Sequence, residues 1–231
     1  MISGSPAPAS GKCGSRRWEH PVAWRGAFQG GRYSFAPRAG RWGALLLILF
    51  GFCASPAAAA TLLRYWIEPC PASSDACRPG DPQLAQWALD AWHKVSAGKL
   101  AFESTSVRDR AHIRILWTGG HEGLYGEARP IVVDGVRGAE VYVLPPPPGS
   151  YENDPLLRDT IVYLTCLHET GHALGLSHTT SFADIMYSFQ YGGDIAEYFG
   201  RYRRRLTSRA DIPKYSGTSE ADRRRLIELL H

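Results

Sequence analysis

The chain has 231 residues, a formal net charge of +4 and five cysteines. Residues 1–60 hold seven of its 26 basic residues and one of its 22 acidic ones, so the remainder is near −2. That balance removes bulk basic charge as a reason to expect a nucleic-acid partner, and none is expected.

Residues 1–43 mix arginines with Gly, Pro and Ala and have too little apolar periodicity to fold. Ala44 to Cys53 is an apolar run, followed by the small residues Ser55 to Ala60. We read 1–60 as a leader with a secretory signal peptide whose apolar region is 44–53, which predicts an extracellular or periplasmic protein. The run is well short of the ~20 residues needed to cross a bilayer as a helix, so no stable membrane anchor is expected. Residues 61–231 then make one domain by length, large enough to bury its own core and expected to be a monomer.

Leu62 to Ile67 reads as a first strand. Cys70 and Cys77 lie close together in a Pro-rich and Ser-rich stretch and, in an exported chain, are expected to form a disulfide. Asp81-Pro82 has the pattern of an N-cap followed by proline at the first helical position. Leu84, Ala88, Ala91 and Val95 then recur at helical spacing, with Trp87 and Trp92 flanking the stripe as core residues. Strands are expected at Leu100 to Thr105, His112 to Trp117, Leu124 to Arg129 and Glu140 to Leu144, the last closed by Pro145 to Pro148. Asp154-Pro155 repeats the cap signal and starts a helix running through Ile161, Leu164 and Leu167 to Leu174. Ser188 to Gly217 reads as a long loop containing the basic run Tyr198 to Arg205, either a solvated face or a wall selecting acidic or extended ligands. A last helix is signalled by Thr218, Ser219, Leu226, Leu229 and Leu230.

The run HETGHALGLSH, residues 168–178, carries the chemistry. His168 and His172 are four residues apart, which on a helix places both rings on one face a turn apart, where one metal ion can take both. Glu169 is out of register as a ligand and instead can reach a metal-bound water as a general base. Gly175 can take the positive φ that ends a helix and lets His178 return as a third ligand. Three neutral nitrogens and an open fourth position are the arrangement of a catalytic zinc site. Cys166, on another helix face, reads as a buried apolar residue, and His93 and His112 as ordinary hydrogen-bonded histidines.

This run, followed by Asp184-Ile185-Met186-Tyr187, resembles the metzincin zinc metalloproteases, and within them the matrixins, the group containing the matrix metalloproteases. The resemblance implies an α+β, zincin-like catalytic domain over residues 61–231, with a twisted, mostly parallel five-stranded sheet, an antiparallel edge strand and three helices. It implies one catalytic zinc on His168, His172 and His178, with Glu169 as general base and Met186 as the floor beneath the metal. Ser188 stands where some metzincins have an assisting tyrosine, so none is assigned. A protein or peptide substrate would lie extended along the edge strand, here Leu124, Tyr125, Gly126, Glu127 and Ala128, because every peptide offers the same backbone groups. The string Cys77-Arg-Pro-Gly-Asp81 loosely matches the family's inhibitory-thiol segment, an alternative to the disulfide.

Other family features are not matched. A second, structural zinc is unsupported, since only His121, with Glu122 and Asp134 nearby, falls in the matching region. Calcium is weakly supported, because the acids that would ligate it are not grouped. The function expected is that of a secreted zinc-dependent endopeptidase. The alternatives are a catalytically silent, zinc-containing peptide-binding module and an enzyme acting on a non-protein amide.

Overall fold

In a computed structural model the residues described are 60–70, 77–118 and 125–231. The leader up to residue 59, His121, Glu122 and Leu124 lie outside them. Strands β1 (Thr61–Ile67), β2 (Leu100–Ser104), β3 (Ile113–Trp117), β4 (Gly126–Val133) and β5 (Val136–Val143) form one sheet in the order β2-β1-β3-β5-β4. All neighbours run parallel except β4, which is antiparallel to β5 at the edge. Helices α1 (Asp81–Val95), α2 (Pro155–Ala173), α3 (Ile195–Arg203) and α4 (Glu220–Leu229) complete the described elements, one helix more than the three expected. Among the described residues no helix is long and apolar enough to cross a membrane.

The period-two pattern of the strands divides the sheet. Ile113, Ile115, Val141 and Val143 are buried with Leu84, Ala88 and Trp92 of α1 and Ile161 and Leu167 of α2. Arg114, Glu140 and Tyr142 alternate with them on the other face and pair among themselves: Arg114 meets Glu140 at 3.3 Å, and the Tyr142 hydroxyl donates to Glu140 at 2.8 Å. The Trp92 indole N–H donates to the carbonyl of Leu167 and to Thr170 Oγ1 at 3.0 and 3.1 Å. That contact fixes α1 against the turn of α2 that bears His168.

Strand boundaries differ from expectation at the edge. β4 extends to Val133 and β5 starts at Val136, joined by the two-residue turn Asp134-Gly135 with φ of 51° and 76°. Paired positive φ values match the right-handed twist of the flanking strands, which is why Asp-Gly occupies this turn. Pro130, one residue past the expected end at Arg129, lies within β4. As an edge-strand residue it costs the sheet no bond, because its nitrogen faces away from β5.

Asp81 is a second correction. The helix begins at Asp81 itself, Gly80 takes the cap position, and no side chain caps it. The Asp81 carboxylate instead faces the guanidinium of Arg158 on α2 in a two-pronged pair, with Nη2 to Oδ2 at 2.6 Å, and accepts the Arg78 N–H at 2.8 Å. Both side chains are fully buried, so the Asp81 charge depends on Arg158, which also lies 3.5 Å from Asp159. The segment expected as a loop after Ser188 holds α3, capped by Asp194, whose side chain accepts the Glu197 N–H at 3.0 Å. Tyr198, Phe199 and Tyr202 form its buried stripe; Arg204 and Arg205 of the basic run are exposed, while Arg201 and Arg203 are half-buried against the Phe182 carbonyl and the Asp154 carboxylate.

Asp81→Asn leaves the buried Arg158 guanidinium with only the longer Asp159 contact, at 3.5 Å, and is expected to cost about 3 kcal/mol of stability in urea unfolding. The double replacement Asp81→Leu with Arg158→Met is expected to recover most of that loss. A double variant as unstable as the single one would show that the ion pair is not the reason for the loss.

Candidate active site

α2 is buried along most of its length and delivers His168 and His172 from one face, one turn apart. Gly175, at φ 100°, turns the chain out of the helix, and His178 returns from the following loop. The three Nε2 atoms lie 3.2, 3.2 and 3.0 Å from one another. Three nitrogens bound tetrahedrally at about 2.0–2.1 Å from one zinc ion need separations of roughly 3.3 Å, so the donor set fits that ion. It is the group of His, Cys, Asp and Glu among the described residues whose atoms converge closely enough to hold a metal.

Tautomers follow from the backbone. His168 Nδ1 lies 2.7 Å from the carbonyl of Ile185, and His172 Nδ1 lies 2.8 Å from that of Leu176. A carbonyl only accepts, so each Nδ1 carries the hydrogen and each Nε2 presents a lone pair inward. Burial, reinforced by the neighbouring imidazoles, lowers the pKa of His168 to about 3 and that of His178 to about 4, and burial also lowers that of His172. All three rings are therefore neutral at pH 7, as metal ligands must be.

The Ile185 peptide is itself clamped. Its carbonyl also accepts the Tyr198 hydroxyl at 3.0 Å, and its N–H donates to Asp222 at 2.8 Å. Asp222 sits in the capping box of α4, accepting the Ser219 N–H as well. Met186, next in chain, is fully buried below α2. A Cβ on Gly171, between the two helix histidines, would overlap its sulfur and approach Trp92 Cζ2 to 3.0 Å. Glycine there lets the helix backbone rest directly on the methionine. Tyr187 is also buried and donates its hydroxyl to the Gly192 carbonyl at 2.7 Å.

Glu169 lies on the next helical position and is buried. No described residue donates a hydrogen bond to its carboxylate, which leaves that group available. Burial, with a smaller contribution from Glu127, raises its pKa to about 8. It abuts the start of the edge strand: a Cβ on Gly126 would stand 2.6 Å from Glu169 Cγ and 2.9 Å from Thr165 Cγ2. Of the expected edge residues, Gly126, Glu127 and Ala128 are in β4, Tyr125 precedes it with its ring edge-on to Phe199, and Leu124 lies outside the described residues.

Cys70 and Cys77 are joined as a disulfide, so neither is a free inhibitory thiol. Cys166 is a buried free thiol whose pKa burial pushes well up. His112 accepts the Arg64 N–H through Nδ1 at 2.9 Å, and His93 Nδ1 sits 2.7 Å from the Leu100 carbonyl. Asp134 and Glu140, in the region weighed for other metals, are paired with arginines.

The sequence model of the matrixin peptidase family matches residues 63–195. A protein of Spodoptera frugiperda ascovirus 1a named "Putative matrix metalloproteinase" is 31% identical over 121 residues, covering 44% of this chain and 29% of that protein. The chain thus spans under a third of that relative's length.

The Glu169 carboxyl predicts a pH effect on the metal-free chain. Its folded pKa lies near 8, against about 4.3 unfolded, so between those values the folded state holds a proton that the unfolded state releases. Stability from this group is present below about pH 4 and is lost as pH rises to 8. Glu169→Gln escapes that loss and is expected to exceed the unaltered chain by up to about 4–5 kcal/mol at pH 8, with no difference at pH 4. Parallel stability curves for the two chains would contradict it.

Proposed function

This chain belongs to the matrixin family, and on that basis we propose that it is a secreted zinc-dependent endopeptidase that hydrolyses peptide bonds in extended protein or peptide substrates. The observation that carries the reading is the convergence of three neutral imidazole Nε2 atoms within 3.0–3.2 Å, beside a buried carboxylate that no described residue engages.

His168, His172 and His178 would hold the zinc. Bound there, the ion would supply a Lewis acid and lower the pKa of a water ligand to about 7. Glu169 is the general base. Its carboxylate takes the proton from the attacking water and then hands it to the departing amine. A carboxyl whose surroundings favour the protonated form suits that second task, because it holds the proton until a better base appears. Met186 supports the ligands from below. Gly126, lacking a side chain, keeps β4 close to Glu169, so that a peptide lying on that strand has its backbone carbonyl near the carboxylate. The leader at 1–60 directs export, and the Cys70–Cys77 disulfide suits an oxidising compartment.

Zinc-loaded chain is expected to cleave members of a mixed peptide library, and a chelator is expected to stop it. Glu169→Ala is expected to retain one zinc and to lose 10²-fold or more in kcat, since general-base catalysis contributes about that much. His178→Ala is expected to lose zinc affinity. Wild-type turnover by Glu169→Ala would refute its role. Tight peptide binding without cleavage by the unaltered, zinc-loaded chain would instead mark a silent binding module.

A further inference from the structure

β4 is the outermost strand of the sheet, and its outer edge, which no described strand pairs with, begins beside Glu169. The ladder fixes which backbone groups point outward. Ala139 donates its N–H to the His112 carbonyl at 2.8 Å, and the Val143 carbonyl accepts the Thr118 N–H at 3.0 Å, so both residues of β5 turn their backbone towards β3. Their partners across the hairpin are Pro130 and Gly126. In an antiparallel pair such positions make no bond to each other, so Gly126, Ala128 and Pro130 direct their backbone groups to the open edge. The inward set begins at Tyr125, whose carbonyl accepts the Leu144 N–H at 2.8 Å.

An extended peptide adding antiparallel to this edge would exchange two hydrogen bonds with Gly126 and two with Ala128. At the next outward position Pro130 has no N–H, and its ring Cδ, standing where the hydrogen would be, holds a peptide backbone too far out for the remaining Pro130 carbonyl to be reached. β4 runs from Gly126, beside Glu169, away to Val133. An antiparallel peptide therefore has its residues N-terminal to the cleaved bond alongside Ala128 and then Pro130.

We infer that Pro130 ends main-chain recognition of the substrate: an extended peptide is held by two backbone pairs, at Gly126 and Ala128, and residues further towards its N-terminus are not read through their backbone. The occupant is assigned by the endopeptidase reading, whereas the register follows from the sheet. Side chains along the pairing segment add little selection on the strand side, since Gly126 and Ala128 are small and Glu127 is already bound to Arg129 at 2.8 Å. The same proline blunts the edge against pairing with a second copy.

The test uses binding, which separates it from catalysis. Unstructured peptides selected from a random library on the full, zinc-loaded Glu169→Gln chain are N-methylated one residue at a time and titrated by fluorescence anisotropy. Towards the peptide's N-terminus, sensitive positions should alternate and then stop, each weakening binding about fivefold, the effect of one backbone hydrogen bond. In the Glu169→Gln, Pro130→Ala chain the outermost sensitive position should move two residues further towards the N-terminus. An outermost position that does not move, a footprint that already runs past Pro130 in the Pro130 chain, or no sensitive position at all would overturn the inference. Cleavage by the unaltered chain is read separately: peptides that show the footprint yet are never cut would sink the endopeptidase reading and leave the register standing.

Discussion

Three imidazole nitrogens aimed at one point, with His168 and His172 held to present lone pairs there, are the constraint on which the rest of the structure depends. Acceptors 3.0–3.2 Å apart repel one another unless a cation lies among them. The protein holds them there by giving each helix histidine a backbone carbonyl to bind on its far side, Ile185 for His168 and Leu176 for His172. Ring orientation and tautomer are thereby set together. Burial keeps the rings neutral, so nothing competes with a metal for the lone pairs except protons at low pH.

Much of the remaining architecture serves to keep α2 and the Ile185 peptide in a fixed relation. Trp92 ties α1 to the α2 turn that bears His168. The pair Asp81–Arg158 ties the two helices again nearer their N-termini. α4 reaches the Ile185 N–H through Asp222, and α3 reaches its carbonyl through Tyr198. Met186 fills the space beneath, where Gly171 removes the side chain that would have lifted the helix away. These contacts come from four helices and one loop, so small shifts in any of them reach the ligands through a packed core rather than through a flexible connection.

The sequence made the site legible because the three histidines that could hold a metal are local. HETGHALGLSH puts two histidines on one turn and the third just past a glycine, so spacing alone brings them together. The same holds for α4, whose cap and apolar repeat stand in one short window, and for the apolar repeat of α1. Less was visible where the determinant is a backbone group or a distant partner. The carbonyls of Ile185 and Leu176 leave no mark in a sequence. Asp81 looks like a cap until Arg158, 77 residues later, takes its carboxylate. The hairpin carries a local signal in Asp134-Gly135, but only the pairing shows that Pro130 sits within β4 with its nitrogen facing the open edge. α3 was hidden by its arginines and Gly200. Its Asp194 cap and the stripe of Tyr198, Phe199 and Tyr202 are the pattern that marks it.

X-ray absorption at the zinc edge of the purified chain, combined with metal analysis, addresses the central claim most directly. The account predicts one zinc per chain with three imidazole nitrogens and one oxygen at about 2.0–2.1 Å, and no sulfur shell. A site with fewer than three imidazoles, a sulfur neighbour at about 2.3 Å, or a chain that holds no stoichiometric metal would contradict it.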